Sequence, residues 1–167
     1  ALFALDDDQL ALQIAADQSR TTHGAKPCIE ACQFFVSLLR AAILGEKDII
    51  PVARQLGRNY PGIRHVTDQN WNQLDRDDIV SGGFVVSTIE AALWSVARTH
   101  NFEEALILAV NLGADADTVG AVTGQLAGAL YGASSIPLRW RRHLAWQSKI
   151  DDTARQLLTA WVAPTVR

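Results

Sequence analysis

The sequence predicts an all-α fold, an orthogonal helical bundle in one domain. Three observations carry that expectation. Apolar residues recur every three or four positions along most segments, and no segment alternates cleanly as a strand would. Start and stop signals bracket these periodic stretches. The chain has 167 residues, 49% hydrophobic and 20% charged, with a mean hydropathy of +0.06. A chain of that size buries roughly 70% of the surface its unfolded form exposes, and this composition excludes intrinsic disorder.

The elements follow in order. Asp6-Asp-Asp8 is an acidic helix start, and the helix behind it carries Leu10, Leu12, Ile14 and Ala15 to about Arg20. Thr21-Thr-His-Gly24 breaks it. Pro27 then suits the first turn of a second helix, whose Ile29, Cys32, Phe35, Val36, Leu39 and Ile43 are spaced by three and four. Gly45 reads as its C-terminal stop. Asp48 to Leu56 reads as a short third helix. Residues 57 to 82 are the least regular part, with Gly57, Asn59, Pro61 and Gly62 as turn signals. Asp75 to Asp78 is too polar to pack deeply. Ser81-Gly-Gly83 introduces a strongly apolar helix from Phe84 to about Arg98. Phe102 to Leu112 is the next, with Glu103 and Glu104 in the first turn, where the macrodipole favours them. Gly113 ends it. Thr118 to Tyr131, Leu138 to His143 and Trp146 to Trp161 complete the series. There is no internal repeat, low-complexity tract or interdomain linker.

Composition also bounds function. The formal net charge is −3, against the clearly basic footprint of a nucleic-acid-binding domain. No apolar run reaches the ~18 residues of a membrane span. The best candidate starts at Ala105 and is interrupted by Asn111, Asp115 and Asp117. No signal peptide opens the chain, and a start at Ala-Leu-Phe without Met suggests a processed or truncated piece. The two cysteines, Cys28 and Cys32, share one helix face. They read as reduced, buried thiols of a cytoplasmic protein rather than a zinc site or a disulfide framework.

The strongest chemical feature is Asn111-Leu-Gly-Ala-Asp-Ala-Asp-Thr118. Two carboxylates and a hydroxyl fall within four residues, between two apolar helices. A loop can turn Asp115, Asp117 and Thr118 toward one point, and clustered oxygens of that kind suit Mg²⁺, Mn²⁺ or Ca²⁺. The plainer alternative is helix capping, which explains one Asp but not two with a Thr behind them. An EF-hand is excluded, because the chain after Thr118 is apolar and small. The following helix carries Gly120, Gly124 and Gly128 on one face. Each Gly costs up to ~1 kcal/mol relative to Ala in a helix interior, so the stripe implies a very closely packed neighbouring helix backbone.

Four segments together resemble a known family. They are Gly82-Gly-Phe-Val-Val-Ser-Thr-Ile-Glu-Ala-Ala-Leu-Trp94, Asn101-Phe-Glu-Glu-Ala105, Ala109 through Gly128, and Tyr131-Gly-Ala-Ser-Ser-Ile-Pro137. In this order they are similar to the ADP-ribosylglycohydrolases, and Ala16-Asp-Gln-Ser-Arg-Thr-Thr-His-Gly24 upstream extends the likeness. The resemblance implies an all-α enzyme that hydrolyses the glycosidic bond between ADP-ribose and a protein side chain, with two divalent cations, Mg²⁺ or Mn²⁺. It assigns Asp115, Asp117 and Thr118 as metal ligands, with the two aspartates catalytic. It places His23 near bound ADP-ribose and Gly82, Gly83 and Phe84 along the substrate cleft, where many relatives have Tyr instead of Phe84. Without it, His23 reads as a capping or loop histidine and Phe84 as a core aromatic. His65, His100 and His143 match nothing catalytic and read as surface residues. The five Trp read as packing residues or surface anchors.

The resemblance is to the C-terminal portion of the family domain only. Family members are longer and carry a Gly-Asp segment, a Thr-Asp-Asp-Thr metal motif and a Gly-Asn-Gly segment in their N-terminal half. None of these stands in the corresponding place here. Asp151-Asp-Thr153 lacks the leading Thr and reads as a solvated helix start. The expected partners are therefore ADP-ribose or an ADP-ribosylated protein, with an N-terminal half or second chain completing the metal shell. A non-catalytic ADP-ribose-binding or crystallin-like protein, and an inactive fragment, are the alternatives. Neither nucleic acid nor membrane is an expected partner.

Overall fold

A computed structural model describes residues 1–162. After a short 3₁₀ turn at Leu2–Ala4 come α1 (Asp8–Arg20), α2 (Lys26–Ile43), α3 (Ile49–Gly57), α4 (Arg64–Thr67), α5 (Val85–Ala97), α6 (Phe102–Val110), α7 (Ala116–Tyr131), α8 (Leu138–Arg141) and α9 (Gln147–Val162). Further 3₁₀ turns lie at Arg76–Asp78 and Ala133–Ser135, and the described residues contain no strand.

The helix boundaries have local causes. Asp7 caps α1 by accepting from the Leu10 backbone N–H at 2.9 Å. Asn101 caps α6 by accepting from the Glu104 N–H at 2.9 Å. Pro27 occupies the first turn of α2, where its missing N–H is no loss. Gly45 and Gly113 follow α2 and α6 with φ of +112° and +79°, a conformation that glycine adopts without strain.

The core forms where α2, α5 and α7 meet. Phe34 and Leu38 of α2, Leu93 and Trp94 of α5, and Val119 and Leu126 of α7 are buried. Burying a side chain of this size contributes on the order of 1.5–3 kcal/mol. Trp94 also donates its indole N–H to the Leu74 carbonyl at 3.0 Å. Trp71 is buried, Trp140 is half-buried and Trp146 is exposed. The fifth, Trp161, lies outside the residues whose side chains are described. Arg40 of α2 is buried; it donates to the Leu5 carbonyl at 2.6 Å and pairs with Asp8. It thus fastens the chain start and α1 onto the core.

The glycine stripe of α7 meets α6, but not as bare backbone against backbone. A Cβ on Gly120 would lie 2.9 Å from Val110 Cγ1, one on Gly124 3.8 Å from Leu106 Cδ1, and one on Gly128 3.9 Å from Phe102 Cε2. Phe102, Leu106 and Val110 are four residues apart, one ridge of α6, and each fills a glycine notch. Only Gly120 is sterically compelled. A neighbouring helix does face the stripe, but its large side chains, not its backbone, fill the space. The cysteines are free, as expected of reduced thiols, but half-buried rather than buried.

Candidate functional site

The loop between α6 and α7 is held to the segment before α5 by three hydrogen bonds. Arg76 donates to the Leu112 carbonyl. Ser81 Oγ donates to the same carbonyl at 3.4 Å. The Asp115 N–H donates to the Ser81 carbonyl at 2.9 Å. Ala114, between Gly113 and Asp115, has φ of +48°, a left-handed conformation that a non-glycine residue adopts at a cost. The backbone entering α7 is therefore strained and fixed, and it sets Asp115 beside the Ser81-Gly-Gly83 turn.

Asp115 stands at the N-cap position of α7, yet its carboxylate accepts no hydrogen bond from the helix's free N–H groups. Instead Asp115 Oδ1 accepts from Thr118 Oγ1 at 2.8 Å. Capping thus fails to account for this side chain. Asp117, two residues further, is exposed. The neighbouring Asp115 side chain and the backbone N–H groups of Thr118 and Asp117 hold its carboxyl below the usual carboxylate range. Asp115 and Thr118 thus form a bonded pair of oxygens, with the Asp117 carboxylate between them in sequence.

Gly83 faces this set. A Cβ there would lie 3.3 Å from Asp115 Oδ2, tighter than ordinary contact, so glycine leaves the carboxylate undisturbed. Phe84 next to it is 57% exposed. The core-aromatic alternative for Phe84 fails, because its ring points outward at the start of α5.

A cleft of ≈ 450 Å³ opens beside these residues. His23, Gly83, Phe84 and Thr118 line it together with Gln18, Ser19 and Thr22 of the α1 end, Cys28, Cys32 and Phe35 of α2, and Gln125 of α7. His23 is exposed, and its Nδ1 lies 3.0 Å from Thr22 Oγ1. Its backbone is fixed to α1 by its N–H donating to the Ser19 carbonyl at 2.7 Å. The structure so brings four of the seven residues singled out from sequence onto one cleft. Asp115 stands next to it through Gly83 and Thr118. Gly82 and Asp117 do not line it. His65, His100 and His143 are exposed and lie away from the cleft.

Gln18, Thr22 and Gln125 were not singled out from sequence. A signal existed: Gln125 follows Thr118 by seven residues and Val122 by three, one face of α7. A second groove of ≈ 490 Å³ lies between α6, α8 and α9, lined mainly by Phe102, Leu106, Val110, Ile136, Trp140 and Leu144. Its lining is too apolar for a diphosphate ligand.

The ADP-ribosylglycohydrolase sequence pattern matches residues 1–165. The chain belongs to the ADP-ribosylglycohydrolase family. It is 43% identical over 143 residues to an ADP-ribosylarginine hydrolase of Pseudomonas putida, covering 84% of this chain and 38% of that protein. It is 39% identical over 83 residues to the ADP-ribosyl-[dinitrogen reductase] glycohydrolase of Rhodospirillum rubrum, covering 50% of this chain and 28% of that protein. A solved chain from an ADP-ribosylglycohydrolase-related protein complex matches with a TM-score of 0.85 and 38% identity, over 95% of this chain and 56% of that one. The ADP-ribosylglycohydrolase fold is thus shared along nearly the whole chain. The chain spans about two fifths of the length of the first of these curated relatives. Among its described residues no group of three or more His, Cys, Asp or Glu could hold a metal ion, and no helix is long and apolar enough to cross a membrane.

Proposed function

We propose that this chain supplies one wall of an ADP-ribose site, and part of a dinuclear metal site, in a hydrolase that cleaves the bond between ADP-ribose and a protein side chain. The arginine linkage named for its relative, or a closely related one, is the proposed substrate. One observation carries the reading: a helix-terminal carboxylate, Asp115, that leaves its helix uncapped and is held instead by Thr118, next to Gly83 and the cleft.

The donor set is all oxygen, which suits Mg²⁺ or Mn²⁺. Asp115, Asp117 and Thr118 would hold the metal from this side. Three donors are about half of an octahedral shell, so the remaining ligands come from the rest of a family-length domain, whether one chain or two. When bound, such ions polarise ribose hydroxyls and lower the pKa of water.

The chain's own residues contribute in four ways. Asp115 and Asp117 would set negative charge beside the cleft, the sign that suits positive charge developing at a sugar carbon. Gly83 leaves room for the ligand. The exposed Phe84 ring offers an apolar face. His23 and Gln125 offer polar atoms along the cleft. No observation favours a crystallin-like role.

Calorimetric titration of ADP-ribose into the chain, with Mn²⁺ or Mg²⁺ and with Asp115→Ala as control, tests the reading. Metal-dependent binding that the variant loses is the expected result. Absence of hydrolysis by a metal-loaded reconstitution with the complementary part of the domain would overturn it.

A further inference from the structure

We infer that Cys28 and Cys32 form a two-thiol site for a thiophilic centre, with trivalent arsenic as the chemical class of ligand, built into the wall of the cleft. Both cysteines are on α2, four residues apart, so their side chains stand on one face with Cβ atoms about 5–6 Å apart. Both are free and half-buried. Both line the cleft that holds His23, Phe84 and Thr118, and Cys32 also lines an adjoining cavity of ≈ 210 Å³.

Spacing decides which chemistry the pair can support. A disulfide needs Cβ atoms about 3.5–4.5 Å apart, closer than a helical i,i+4 pair allows without distorting α2. A single larger atom bridging the two sulfurs spans the longer gap. Soft sulfur ligands select soft centres, whereas the oxygen cluster on α7 suits hard cations. Two sites of opposite preference therefore lie side by side, with Thr118 of the oxygen cluster lining the same cleft as the thiols.

The reaction balances without an oxidant. An organic arsenoxide meets two thiols, and two As–S bonds form. The arsenic–oxygen bond breaks, and the oxygen leaves as water with the two thiol protons. Arsenic stays trivalent. The organic group is left in the cleft, where it blocks a nucleotide; this last consequence rests on the ADP-ribose reading above.

Phenylarsine oxide is the probe, and intact-protein mass the first readout. One reagent per chain, minus one water, is expected, stable to a monothiol and released by a dithiol. Chelation exceeds one-point attachment by roughly 10²-fold or more. Cys28→Ser and Cys32→Ser should therefore each weaken the adduct by about that factor, and the double variant should form none. Circular dichroism of each variant checks the fold. Two reagents per chain, adducts that single variants retain, or no adduct while both thiols titrate would each overturn the proposal. The second readout is ADP-ribose binding, which the adduct should abolish in the unmodified chain's place; binding unchanged by the adduct would overturn the placement in the cleft. An adduct on a chain that never binds ADP-ribose would support the thiol site and count against the hydrolase reading alone.

Discussion

Replacing Asp115 by Ala separates a capping carboxylate from a functional one. A true N-cap loses about 0.5–2 kcal/mol on substitution by Ala. Asp7 and Asn101 are such caps, each accepting a backbone N–H at 2.9 Å, and Asp7→Ala and Asn101→Ala should fall in that range. In a chain of 167 residues, 1 kcal/mol moves the melting temperature by roughly 2–4 °C, so each control should drop by about 1–8 °C. The Asp115 carboxylate accepts from no helix N–H and is bonded instead to the Thr118 hydroxyl. Its removal leaves the helix end as it was, so Asp115→Ala should stay within about 0.5 kcal/mol of the parent, as surface changes do. Thermal and urea melts followed by circular dichroism measure all three. If Asp115→Ala falls together with Asn101→Ala, the carboxylate is structural and Asp115 has no place in a functional site.

Gly57→Ala should destabilise by about 1–3 kcal/mol through overpacking, because its Cβ would lie 1.9 Å from Thr67 Oγ1 and 2.5 Å from Thr67 Cβ. Adding Thr67→Gly should recover stability in a double-mutant urea series, whereas Thr67→Ala, which keeps the Cβ, should not. Burial pushes the Glu90 carboxyl up despite His65 and its hydrogen bond from Gln69. The folded state therefore prefers the protonated acid, and stability falls as pH rises through its titration range. Glu90→Gln should melt higher than the parent at pH 7–8 and level with it below about pH 4; a constant difference across pH would refute this. Phe84→Ala should leave the melting temperature nearly unchanged, since the ring is 57% exposed, yet weaken ADP-ribose binding roughly tenfold in calorimetry. An unchanged affinity would remove Phe84 from the site.

Helix order was legible in the chain because its signals are local. Apolar spacing, the Pro27 start and the Gly45 and Gly113 stops act within a few residues. The Asp115–Thr118 cluster was legible for the same reason: its members are neighbours in sequence. The glycine stripe announced a close helix but not which atoms would fill it, since Phe102, Leu106 and Val110 reach it only through tertiary packing. Phe84 read from its own surroundings as a core aromatic, because an aromatic at a helix start carries no mark of which side it faces; only the resemblance pointed to the cleft. The half-exposure of Cys28 and Cys32 was likewise unreadable, because it depends on how α1, α5 and α7 surround α2. Sequence by itself thus determined the all-helical class, the family and the acidic loop. Tertiary structure decided that Asp115 does not cap, that Gly83 must stay small beside it, and that residues from α1, α2, α5 and α7 share one cleft. The reason is physical: short-range signals specify backbone conformation, whereas juxtaposition of distant side chains follows from how helices pack.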